Sequence, residues 1–203
     1  NVHTTLSVTH QEAGFLALKK GLESHDERQG YRGPLGFVKL PSKIEDEWLE
    51  DSLQDLNPYE DLHPAVVLKA GPQTIEAYVK GMGSAMLANE QAVYGATNLI
   101  IGSERVAPLK SGALIYVRKT LAEDWVLSQL PIAEGAVISI DADTGAINAL
   151  VGGYNFYRNK FNHVTQAKRQ PGSSFKPFIY SAALERGFTP GTIIDDAPFE
   201  IHE

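Results

Sequence analysis

Apolar and polar positions change their period several times along this chain, and each change marks a different element. Val2, Leu6 and Val8 alternate with His3, Thr5 and Ser7, which predicts a strand over Val2 to Val8. Thr9 with Glu12 three residues on fits a capping box, so a helix is expected next. It should run to about Ser24 with Ala13, Leu16, Ala17 and Leu22 facing inward. Gln29 to Gly36 is interrupted by Gly and Pro. Trp48, Leu49, Leu53 and Leu56 then recur at helical spacing, which predicts a second helix from Ile44 to Leu56.

From Ala65 the pattern shortens. Five strand-like runs follow: Ala65–Ala70, Thr74–Val79, Ser84–Leu87, Ala113–Arg118 and Trp125–Ser128. Gly71-Pro72, Gly81, Gly83 and Lys110-Ser111-Gly112 separate them. Five short strands in about 65 residues suit a small closed barrel, and the OB-fold is the usual solution. Residues 88–107 carry no pattern that places them, beyond a longer connection of the barrel. Two further apolar runs, Gly135–Ile140 and Ala146–Val151, flank Asp141-Ala142-Asp143-Thr144-Gly145 and predict a hairpin. Both are apolar almost throughout, so the hairpin is expected to be covered on both faces. A last helix should start near Ser173, take Pro177 in its first turn, and end at Gly187.

Composition narrows the function. With 43% hydrophobic residues the chain can build a core. No apolar run approaches the length of a membrane span, and no secretory signal opens the chain. It reads as a piece of a longer protein. There is no Cys, so disulfides and thiolate metal sites are excluded, and the six His lack metal-ligand spacing. No metal or other cofactor is implied. Net charge is −7, and residues 41–61 alone carry eight acidic side chains against Lys43. The rest of the chain is formally neutral. No basic stripe exists to neutralise phosphates, which argues against a nucleic-acid partner. The acidic segment fits a solvated helix with one apolar face better than a surface for a basic partner.

The chemistry concentrates in Gln170-Pro171-Gly172-Ser173-Ser174-Phe175-Lys176-Pro177. A serine hydroxyl needs a base to become a nucleophile, and a lysine one helical turn away can supply it if its amine is held neutral. Ser173 and Lys176 have that spacing. Alone, the spacing also fits an N-cap serine beside a solvated lysine. Its surroundings carry more. Arg169-Gln170-Pro171-Gly172 precedes it and Pro177-Phe178-Ile179-Tyr180 follows; upstream lie Gly135–Asp141, Asp143–Gly153 and Phe161–Ala167. This order resembles the transpeptidase domain of class A penicillin-binding proteins. Thr4-Thr5-Leu6, Gln11, Ala13, Ala17 and Gly30-Tyr31-Arg32-Gly33-Pro34 resemble the same family. The likeness spans about 1–35 and 130–203 and is greatest to the 1A-like branch, whose insert between those parts resembles an OB barrel.

The resemblance implies an α+β chain: a five-stranded OB-like barrel (62–130) inserted in an incomplete transpeptidase α/β domain. The N-terminal strand and helix would be 1–35, an acidic linker 36–61, and the first part of the transpeptidase core 131–203. It implies that Ser173 attacks a D-Ala-D-Ala stem peptide of peptidoglycan, with Lys176 as base, and that β-lactams acylate Ser173. The family's S-x-N triplet and K-T-G strand do not follow Lys176 in these residues, so the isolated chain is expected to be inactive. The glycosyltransferase domain and the single membrane anchor would precede Asn1, which places the protein on the periplasmic face of the inner membrane. Two other readings stand beside this one. The barrel could be a docking module for an outer-membrane lipoprotein activator, or a nucleic-acid-binding OB protein. The last is disfavoured by charge and by a single aromatic, Tyr116, in run 113–118.

Overall fold

Five strands close on themselves in the computed structural model, which describes residues 3–71, 74–88, 108–195 and 197. They are β2 (His63–Ala70), β3 (Thr74–Val79), β4 (Gly83–Ala88), β5 (Ala113–Lys119) and β6 (Trp125–Ser128). β2 pairs antiparallel with β3 and β5, β3 with β4, and β5 with β6. A parallel contact of β4 with β6, Leu87 opposite Trp125, completes the ring. The short β1 (Gly36–Phe37) adds to the start of β5. The expected five-stranded barrel is therefore present, with strand limits within two residues of those read from alternation. The pairing follows from period 2: Ile75, Ala77 and Val79 point into the barrel with Ala65, Val67, Ile115 and Val117, while Thr74 and Glu76 point out. Of residues 88–107, which the sequence pattern could not place, Ala88 ends β4 and 89–107 lie outside the described residues.

α1 (Val8–Gln29) and the hairpin of β7 (Val137–Ile140) and β8 (Ile147–Val151) pack together beside the barrel. Leu18 and Leu22 of α1 share a core with Val151, Tyr154, Leu62 and Tyr116. α2 (Asp46–Ser52) lies on the outside of the barrel, where Leu49 and Leu53 meet Val66 of β2 and Tyr78 of β3. All of this belongs to a compact unit, Asn1–Gln166. Ala167–Glu203 forms a second unit, with a 3-10 turn at Gly172–Phe175 and α3 at Lys176–Glu185.

Several expectations need correction. Residues 3–7 form no strand; the Ser7 N–H makes one bond to the Asn148 carbonyl at 2.9 Å, and α1 starts at Val8. The N-cap is Ser7, without a side-chain cap bond, so Thr9 and Glu12 form no capping box. α1 continues to Gln29 because Ser24 is followed by no helix breaker before Gly30. Its inner face is Leu18, Leu22 and Asp26; of the expected set only Leu22 is buried, and Leu16 is exposed. The acidic helix is shorter than Ile44 to Leu56, closing at Ser52 in a turn. The hairpin is covered on one face only, since Ile138 and Ile140 are exposed. The last helix opens as a 3-10 turn and becomes α-helical only at Lys176.

Candidate active site

In the second unit the Ser173–Lys176 segment is built by backbone geometry. Pro171 enters at φ −67°, and Gly172 takes φ 53°. The Ser174 N–H donates to the Pro171 carbonyl at 3.1 Å, and the Lys176 N–H donates to the Ser173 carbonyl. In a 3-10 turn, residues three apart eclipse one another, so Ser173 and Lys176 project to the same side. The sequence-derived pair lies in this turn, and both residues are exposed. Pro177 falls in the first turn of α3, where its missing N–H costs nothing. The helix ends as read: Gly187 N–H bonds the Leu184 carbonyl at 3.0 Å and Phe188 N–H the Ala183 carbonyl at 3.1 Å, a Schellman pair. Phe178, Ile179, Tyr180 and Leu184 are apolar around α3 and exposed. Ser181 and Glu185 form the one polar stripe beside them, so α3 is largely apolar.

In the first unit, polar side chains tie α1 to the barrel and to Tyr154, just beyond β8. Arg118 of β5 forks across α1, one nitrogen to Glu23 at 3.0 Å and the other to Glu27 at 2.8 Å. Lys19 bridges Glu23 at 2.7 Å and Asp61 at 2.8 Å, and the Tyr154 hydroxyl donates to Glu23 at 2.7 Å. Burial alone lowers the Lys19 amine, but its bonds to Asp61 and Glu23 outweigh this and raise it above its usual range. Burial raises Tyr154, and the Glu23 carboxylate raises it further. Burial also raises the Glu60 carboxyl nearby. A second knot joins the two chain crossings at the barrel's base. Arg32 donates to Asp26 and to the Leu130 carbonyl, and Gln129 accepts from the Arg32 N–H at 3.1 Å and donates to the Gly30 carbonyl at 2.9 Å. The Gly30-Tyr31-Arg32 run was legible as a motif; this role of Arg32 was not, because its partners are set by tertiary folding.

The acidic helix has a structural task. Lys80 donates to the carbonyls of Leu53, Gln54 and Leu56 at 2.7, 3.2 and 2.8 Å, which neutralises the C-terminal end of α2. Glu50 accepts from the Tyr78 hydroxyl at 2.9 Å and from the Gly81 N–H at 2.7 Å. α2 therefore covers part of the outer β2–β3 face of the barrel, and its other acidic side chains face solvent. Among the described residues, no group of His, Asp or Glu is arranged to hold a metal ion, and no helix is long and apolar enough to cross a membrane.

Comparison with known proteins agrees with this architecture. Residues 31–133 match the penicillin-binding protein OB-like domain, and residues 135–203 match the penicillin-binding protein transpeptidase domain. Penicillin-binding protein 1A of Neisseria gonorrhoeae is 38% identical over 204 residues, covering 98% of this chain and 25% of that protein. Penicillin-binding protein 1A of Vibrio cholerae is 38% identical over 213 residues, covering 98% of this chain and 26% of that protein. The crystal structure of penicillin-binding protein 1A from Haemophilus influenzae aligns with a TM-score of 0.78 at 30% identity, over 98% of this chain and 29% of that one. The chain spans about a quarter of the length of the curated relatives it matches.

Proposed function

Since this chain belongs to the class A penicillin-binding proteins, we propose that its protein cross-links peptidoglycan, with Ser173 as the acyl-accepting nucleophile and Lys176 as its base. One observation carries this: the Ser173–Lys176 turn opens a largely apolar helix inside the stretch that matches the transpeptidase domain. Ser173 Oγ attacks the carbonyl of the D-Ala-D-Ala bond while its proton passes to the Lys176 amine. The Oγ–acyl bond forms, the C–N bond breaks, and the departing D-Ala nitrogen takes the proton. An amine of a neighbouring stem peptide then attacks the ester, forms the new amide and returns the hydroxyl to Ser173. A β-lactam opens by the same attack, and its leaving nitrogen stays tethered.

The Ser173 N–H lies in the first turn, where amides lack an acceptor one turn back, so it can serve as one oxyanion donor. A lysine acts as base only when enclosed or set near another cation. The groups that enclose Lys176, the second oxyanion donor and the strand that binds the substrate carboxylate are proposed to come from outside these residues. The 203-residue chain expressed alone is therefore expected not to acylate at a useful rate. The glycosyltransferase and the anchor that holds the protein at the periplasmic face of the inner membrane are proposed to lie outside it too. The test is labelling of the full-length protein with fluorescent penicillin. Ser173→Ala should abolish the label and Lys176→Ala should slow it at least about a hundred-fold. Stoichiometric label on Ser173→Ala would refute the assignment.

The barrel is proposed to dock a regulatory outer-membrane lipoprotein. Met82 and Met86, exposed at the β3–β4 turn and on β4, support this, since flexible thioethers suit a recognition surface. Met86→Asp should weaken that capture and leave penicillin labelling unchanged; equal capture would remove the support.

A further inference from the structure

We infer that Gly172 is a positioning residue for the nucleophile, acting through its left-handed backbone; this rests on the assignment of Ser173 above. Gly172 has φ 53°, directly before Ser173. Among the described residues, a Cβ placed on it would meet nothing within 4 Å. Crowding by those residues therefore does not explain a glycine here; the conformation does. Pro171 fixes one side of the turn, and Gly172 supplies the reversal that lets Ser174 N–H reach the Pro171 carbonyl at 3.1 Å. That bond spans Gly172 and Ser173, so the Ser173 Cα–Cβ direction is set by the Gly172 torsion. A residue that pulls this torsion to negative φ turns the Ser173 hydroxyl away from the side it shares with Lys176.

Two explanations of the glycine give opposite orders of variants. If only the torsion matters, Asn is tolerated better than Ala, because Asn enters the left-handed region several-fold more readily. If substrate or another segment must approach closely, Ala is tolerated better than Asn, because it is smaller.

The experiment is the time course of acylation of the full-length protein by a fluorescent penicillin over a range of concentrations. Gly172→Ala should lower the saturating acylation rate about ten-fold, with the half-saturating concentration within about two-fold of wild type. Gly172→Asn should recover most of that loss. The final stoichiometry counts folded sites, so a partly unfolded variant loses amplitude and not rate. Ala equal to or faster than Asn, unchanged rates in both, or complete silence in both would overturn the inference. Ser173→Ala run alongside separates the two assignments. If it is silent and the order is reversed, only the positioning role falls. If it still labels, both fall.

Discussion

The Arg32 guanidinium donates to the Asp26 carboxylate at 2.6 Å where the chain enters and leaves the barrel. Asp26 is 5% exposed and Arg32 35%. Ile132 N–H donates to the same carboxylate oxygen at 3.3 Å, so one acidic group of α1 holds both crossings. Arg32→Ala leaves a buried carboxylate without its cation and should cost about 3 kcal/mol. Asp26→Asn keeps the shape and hydrogen-bonding capacity and should cost about 1–2 kcal/mol. Arg32→Lys should recover little, since an ammonium lacks the planar fork that serves Asp26 and Leu130 together. Urea midpoints of the three variants check this; indistinguishable midpoints would mean the knot holds nothing.

Gly112 cannot accept a side chain. Its φ is 85°, and a Cβ would stand 2.0 Å from the Val38 carbonyl oxygen. The Val38 N–H bonds the Gly112 carbonyl at 2.8 Å, and the Gly112 N–H bonds the Val67 carbonyl at 2.7 Å, so the backbone cannot retreat without losing both. Gly112→Ala should destabilise the barrel by at least about 2 kcal/mol, from strain and lost bonds together. A thermal melt with the wild-type midpoint would contradict this.

Stability should fall on the alkaline side. Lys19 is raised above its ordinary 10.5, and Tyr78 and Tyr116 are raised from 10.0 to about 12, in the tyrosines chiefly by burial. Tyr154 is raised as well, by burial and by Glu23. In each case the folded protein holds a proton that the unfolded chain has released. The contribution is whole below pH 10 and is lost as pH rises from there through about 12. The urea midpoint should therefore be level, as far as these groups set it, from pH 8 to 9 and drop between pH 10 and 12. Tyr116→Phe should make that drop shallower; an equal drop would show that Tyr116 ionises alike in both states.

What the chain's pattern disclosed depended on how local the cause was. The barrel strands were legible because Ile75-Glu76-Ala77-Tyr78-Val79 alternates and glycines mark the turns, and β2–β3, β3–β4 and β5–β6 pair as sequence neighbours. The inner face of α1 was misread because its apolar residues lie all around it: Leu16 is exposed while Asp26 is buried. Arg32 and the Ile132 N–H explain a buried Asp26, and those pairings are made by the fold. The single covered face of the hairpin was misread from its composition, which is apolar on both faces while only one meets α1. That the last helix begins near Ser173 and ends at Gly187 was legible from Pro177 and Gly187. The torsion of Gly172 was not, because a glycine in a turn signals freedom without saying which conformation is used.

Mass mapping of the full-length protein after reaction with a β-lactam shows whether Ser173 takes the acyl group. Trypsin releases Gln170 to Arg186 as one peptide, because Pro177 blocks cleavage after Lys176. The ring-opened β-lactam should add its whole mass to that peptide, and fragmentation should put it on Ser173. An adduct on Ser174, on another peptide, or on none would contradict the assignment of the nucleophile.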